Sequence, residues 1–185
     1  MGGMFFLALT ALAVIWAVMA YNGLVGLKHN VTKSFANIDV LLKQRHDELP
    51  KLVEVCKQYA QFEQSTLEKV MQARSAVFAA SQSRNIEALG AAESQLRSGI
   101  GQIFAVAEAY PELKANENFK HLLERITAME NTIADRREFY NDSVNIYNIR
   151  IQSFPDMIVA RLLHYKNEVL FQASTEDKDY IAVNM

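Results

Sequence analysis

Proline and glycine are nearly missing, with three and seven in 185 residues. A fold of many tight turns, or a glycine loop cradling phosphate, has little material here to be built from. Cysteine occurs once, so no internal disulfide exists. Cys56 lies within an apolar helical pattern and reads as a buried, inert thiol, which permits a reduced compartment. Charge of one sign is also missing. The net charge is −2, the pI is near 6.1, and Lys and Arg are spread along the chain, so no basic stripe marks a nucleic-acid footprint. Wholesale disorder is excluded too, because half the residues are hydrophobic and only 22% are charged. What is plentiful is Ala, Leu, Glu, Gln and Lys, a composition suited to helices.

No charged side chain occurs from Met1 to Leu27, and Met4–Ala20 (MFFLALTALAVIWAVMA) is almost wholly apolar. About 20 such residues in a helix cross a ~30 Å hydrocarbon core. Phe5 and Phe6 near one end, and Trp16 and Tyr21 toward the other, suit the two interfaces. A secretory signal peptide would carry a basic stretch that Met1-Gly2-Gly3 lacks, although Val18-Met19-Ala20 is a tolerable cleavage site. A buried core helix would need a polar face that this segment does not have. The positive charges Lys28, Lys33, Lys43 and Arg45 follow the span and none precedes it. That bias puts the short N-terminus outside and residues 28–185 in the cytoplasm. Ala13, Ala17 and Ala20 form a small-residue face, a candidate oligomer seam in the membrane if they are more than filler.

Beyond the span the apolar period stays close to 3.6. Val31, Phe35, Ile38, Leu41 and Leu42 form one stripe that continues the anchor helix, and Pro50 predicts a kink or short break at 47–50. A second helix is expected from Pro50 to about Ser81, carrying Leu52, Val53, Cys56, Tyr59, Ala60, Leu67, Val70, Arg74, Val77 and Phe78. Residues 81–85 read as a turn with Asn85 as N-cap. A third run (Ile86, Leu89, Glu93, Leu96, Ile100, Ile103, Ala107) ends at Tyr110-Pro111, and PELKAN (111–116) reads as a loop with Asn116 as a cap. The fourth run, from Phe119 through Ile126, Ile133, Arg136, Tyr140 and Tyr147 to Phe154, stops at Pro155. Long helices with short connections pack as an up-and-down antiparallel bundle. The expected organisation is an anchor over 1–27, a bundle over 28–170 with one short helix after Pro155, and a polar tail over 171–185.

Enzyme chemistry finds no foothold. A di-iron bundle needs Glu-x-x-His pairs, and none of His29, His46, His121 or His164 has Glu three residues before it. No nucleophile elbow occurs, and Gly99 and Gly101 lie within a helical pattern with no strand before them. No catalytic, cofactor-binding or metal residue is expected, nor a small-molecule substrate. Three polar patches remain. Asn37, Asp39, Lys43, Arg45 and Asp47 are either a solvated helix face, with Asp39 and Lys43 an i, i+4 pair, or a docking surface beside the bilayer. Tyr140-Asn141 recurs as Tyr147-Asn148, which places the rings in the core with tied amides, or else makes a rung for a partner helix. Arg136, Arg137 and Arg74 border apolar seams and call for a carboxylate, with Glu63, Asp39 or Asp47 available, as an interhelical ion pair.

Several runs together resemble the LemA family: YNGLVGLKHNV (21–31), NIDVLLKQRHDELPKLVEVCKQYA (37–60), Ala73-Arg74, YPELKANENF (110–119), YNDSVNIYN (140–148) and Phe154-Pro155. The family pattern usually has a second basic residue where Gln44 stands, and often His near Phe62-Glu63. The resemblance implies an N-terminal anchor and a cytoplasmic antiparallel bundle at a bacterial inner membrane. It implies no activity. One branch, the magnetosome proteins similar to LemA, is associated with membrane biogenesis, and other members sit beside membrane-protease genes. Two functions follow as expectations. One is a homo-oligomeric scaffold that organises or remodels the bilayer. The other is an adaptor for a membrane protease or envelope-stress partner.

Overall fold

The computed structural model describes residues 2–58 and 63–172, and among them every regular element is helical. The elements are α1 (Gly2–Lys57), α2 (Gln64–Gln82), α3 (Ile86–Glu108), α4 (Pro111–Ala115), α5 (Glu117–Gln152) and α6 (Met157–Leu162). The chain divides into two compact units, Met1–Ala36 with Phe139–Leu170, and Asn37–Glu138 with Phe171–Met185. Helices α1 and α5 contribute residues to both.

In the first unit the early part of α1 packs antiparallel to the late part of α5. Ser34 Oγ lies 3.0 Å from Ser143 Oγ, and the Phe35 ring stands edge-on to Tyr140 with centroids 6.0 Å apart. Val31, Phe35, Val144, Tyr147 and Ile151 are buried along this seam, as the helical period requires. After α5 the chain turns through residues 153–156, forms α6, and runs on without regular secondary structure over residues 165–170. His164 ends α6 with φ 55°, the left-handed C-terminal position, and Tyr165 N–H closes the turn on the Ala160 carbonyl at 2.9 Å.

The second unit is a bundle of residues 37–57 of α1, with α2, α3, α4 and residues 117–138 of α5. Helices α2 and α3 form an antiparallel hairpin over a tight turn, with Arg84 at φ 50° and Asn85 N–H bonded to the Ala80 carbonyl. Both expected asparagine caps are present: Asn85 Oδ1 accepts from Ala88 N–H at 3.0 Å, and Asn116 Oδ1 from Phe119 N–H at 3.1 Å. Gly99 permits close approach of α3 to α2, since a Cβ there would stand 2.8 Å from Val70 Cγ2.

Two sequence expectations change. Helix α1 does not break at 47–50; it continues through Pro50 to Lys57. Proline has no N–H for the carbonyl four residues back, which here belongs to His46. Arg74 Nε supplies the missing donor, at 2.8 Å from that oxygen. The second helix therefore begins at Gln64, not at Pro50. Tyr59 and Ala60, expected on it, lie outside the described residues. PELKAN, read as a loop, contains the short helix α4, with proline in its first turn, where a backbone donor is not needed. Most of the expected polar tail, residues 173–185, also lies outside the described residues.

Candidate functional site

Three features were singled out in sequence: the apolar start of α1, the polar patch at 37–48, and the Tyr-Asn pairs. Residues Gly2 to Leu27 of α1 measure about 39 Å at 1.5 Å per residue, more than the ~30 Å of a bilayer core. Met4, Phe5, Phe6, Leu9, Leu12, Ile15 and Met19 are uncovered by the rest of the chain, and α1 is long and apolar enough to cross a membrane. Of the small-residue face, Ala13 is exposed, Ala17 is half-buried, and Ala20 is buried within the first unit. Ala20 is therefore already packed and leaves Ala13 as the open part of that face.

The polar patch is divided by the helix turn. Asn37, Lys43 and Asp47 are exposed, and Asp39 is half-buried. Lys43 Nζ pairs with Asp39 Oδ2 at 2.9 Å, and Ser81 Oγ donates to Asp39 Oδ1. Burial pushes the Asp39 carboxyl up, but these two hydrogen bonds and the charges of Lys43 and Arg84 outweigh it and hold the group below the usual carboxylate range. Arg45, expected on a docking surface, points the other way. It is 1% exposed, and its guanidinium bridges Glu93, itself 2% exposed, and Glu130. Burial alone would weaken the positive charge, yet the two carboxylates raise its pKa above the ordinary arginine value. Arg97 Nε approaches Glu130 from outside at 3.7 Å. A second ion cluster lies further along α1, where Glu48 Oε1 accepts from Arg125 at 2.7 Å and from Lys51 at 3.1 Å.

The other arginines also settle differently from expectation. Arg74 reaches a backbone carbonyl, not Glu63, Asp39 or Asp47. Arg136 is exposed. Arg137 is the buried neighbour, stacked over the Phe171 ring at 4.5 Å and donating to the Gln172 carbonyl. The signal that could have found the Arg45 cluster was Glu93, a carboxylate at an inward position of an otherwise apolar period. Such a residue requires a buried cation.

In the first unit the tyrosine rings are in the core. Tyr140 Oη donates to the Val169 carbonyl and Tyr147 Oη to the Lys166 carbonyl, each at 3.0 Å. Asn148 clamps Glu168 twice: its Nδ2 donates to the backbone carbonyl and its Oδ1 accepts from the backbone N–H, both at 2.9 Å. The rung thus binds a non-helical segment of this same chain, residues 166–169. Burial pushes the Cys56 thiol up to about 12, so it stays protonated near neutral pH. Among the described residues no group of three His, Cys, Asp or Glu gathers as a metal site. Helices α2 and α3 share a groove of about 490 Å³, lined by Ala73, Ala76, Ser94, Ser98 and Gly99 among others. Lys69 is the one charged residue of its lining, which holds no carboxylate to make an acid–base pair.

The profile of the LemA family matches residues 34–185. The magnetosome protein MamQ 1 of Paramagnetospirillum magneticum is 25% identical, over 84% of this chain and 65% of its own length. MamQ of Magnetospirillum gryphiswaldense is 23% identical, over 83% of this chain and 65% of its own length. Protein LemA of Metamycoplasma hominis is 28% identical, over 83% of this chain and 69% of its own length. The chain thus spans just under two thirds of the length of the MamQ relatives. With a family match covering most of its residues, from the juxtamembrane part of α1 onward, this chain belongs to the LemA family.

Proposed function

We propose that the protein is a non-enzymatic, membrane-anchored scaffold that assembles with copies of itself and organises or remodels a bacterial cytoplasmic membrane, with its bundle on the cytoplasmic side. One observation carries this reading: α1 passes without interruption from an uncovered apolar stretch into a helix bound by the buried Arg45 cluster. The helix is unbroken at Pro50. The Lys28, Lys33 and Lys43 side chains after the apolar stretch support the cytoplasmic orientation. Ala13 offers close approach to a second copy within the bilayer. Likeness to proteins named for the magnetosome supports a part in shaping or populating a membrane compartment.

The test is the mass and composition of the complex after gentle extraction in native lipid. An assembly of this chain alone, weakened by Ala13→Leu, is the expected result. A monomer would sink the scaffold. A second reading, an adaptor for another membrane protein such as a protease, is favoured by the exposed Asn37, Lys43 and Asp47 on α1. It predicts a small complex with one other membrane protein, lost on Lys43→Glu with Asp47→Lys.

A further inference from the structure

The first unit exposes a group of apolar side chains at α6 and the turn before it, besides Phe139, Ile146 and Ile149 along α5. In α6, Val159 and Ala160 are buried, while Ile158 and Leu162, four residues apart on another face, are 53% and 75% exposed. Phe154, in the turn before α6, is 80% exposed, and Leu163 is also uncovered. The position of this patch along α1 follows from contacts within the unit. From the Ser34–Ser143 contact, α5 runs nine residues to Gln152, about 14 Å, which reaches the level of Val25 on the antiparallel α1. On the return, Lys28 Nζ lies 5.4 Å from the centre of the Tyr165 ring. Residues 153–164 therefore occupy the end of the unit beyond Lys28, beside the uncharged stretch of α1. Leu24 and Ala20 of that stretch are buried.

Charge agrees with position. Asp156, the acidic residue of the turn, is neutralised by an ion pair with Arg150. Lys28, which reaches Tyr165, and Arg161 and Lys166, in and just after α6, are exposed, a set suited to phosphate headgroups of anionic lipid. We propose that Phe154, Ile158 and Leu162 form a second membrane contact, seated in the headgroup boundary of the same leaflet from which α1 emerges, with the bilayer as their partner. This rests on α1 crossing the membrane and deepens that reading. A helix pivoting about one span is free to tilt, whereas one with an interfacial foot beside the span is held at a defined angle to the surface.

The test uses the full-length protein in vesicles of phosphatidylethanolamine and phosphatidylglycerol. Phe154→Cys, Ile158→Cys and Leu162→Cys each carry a fluorescent label, with Phe78→Cys and Leu12→Cys as water and bilayer references. Unmutated protein, whose buried Cys56 resists labelling, is the blank. Labels at 154, 158 and 162 should be quenched by headgroup-level nitroxide lipid at least about twofold more than at 78, as expected for side chains buried ~5–10 Å into the boundary. If they match position 78 while position 12 is quenched by deep nitroxide lipid, the foot is wrong and the anchor stands. If position 12 also escapes quenching, the anchor itself fails. If 154, 158 and 162 are shielded from both lipid nitroxide and aqueous quencher, the patch is covered by protein and the lipid assignment is overturned.

Discussion

The two units differ in how they bind the polar groups at their helix seams. In the second, the interior holds full charges: Arg45 between Glu93 and Glu130, and Glu48 under Arg125. In the first, one buried carboxylate, Asp156, is held by the half-exposed Arg150, and the polar groups along the α5 seam are neutral: Tyr140, Tyr147 and Asn148 bind the backbone of residues 166–169. A charge in a core must meet its counter-charge from another helix, so the first device fixes which helices pair and in what register. A phenol or amide can take any backbone carbonyl in reach, so the second device secures a segment that has no helix of its own. Specificity of helix packing belongs to one unit, retention of an irregular strap to the other.

Removing Arg45 should break this contrast most severely. Arg45→Met leaves Glu93 buried without a cation and should destabilise the second unit by about 3–5 kcal/mol. Hydrogen exchange of the full-length protein should accelerate within 63–138 more than within 139–170. Adding Glu93→Met should recover most of the loss. An Arg45→Met protein with unchanged exchange would mean that the pair is not the register device.

The Pro50 junction comes next. Arg74→Ala strips the His46 carbonyl of its donor and should cost about 1–3 kcal/mol. With Pro50→Ala the helix provides its own N–H, and the same arginine deletion should then cost clearly less. Equal losses in both backgrounds, measured by denaturant unfolding, would detach Arg74 from the proline.

In the first unit, Tyr147→Phe should lose about 0.5–1.5 kcal/mol, the net worth of one hydrogen bond. The strap also predicts a response to alkali. Burial, reinforced by the Glu168 carboxylate, pushes the Tyr140 phenol up to about 12. The unfolded value is about 10. The folded state holds this proton more tightly, so the stability it contributes is full below pH ~10 and is lost as pH rises toward ~12. Tyrosinate absorbance should show Tyr140 ionising late, and Tyr140→Phe should remove that late step. Smallest is His164→Gly, which relieves a left-handed backbone conformation and should stabilise α6 by up to about 1 kcal/mol in thermal unfolding.

Local pattern by itself determined the all-helical class, the long apolar stretch and both asparagine caps. Each depends on periodicity or on side chains within four residues of the backbone they serve. Tertiary structure decided what depends on distant partners. Pro50 reads as a break because its missing donor is a local fact, while the replacement, Arg74, bonds a carbonyl 28 residues away in sequence. Arg45 reads as solvated beside Lys43 and Asp47 because nothing local shows that Glu93 and Glu130 will meet it from α3 and α5. The irregular strap at 165–170 has no periodic signature. Its conformation is held by Tyr140, Tyr147 and Asn148, whose side chains satisfy backbone groups that no helix or sheet ladder does.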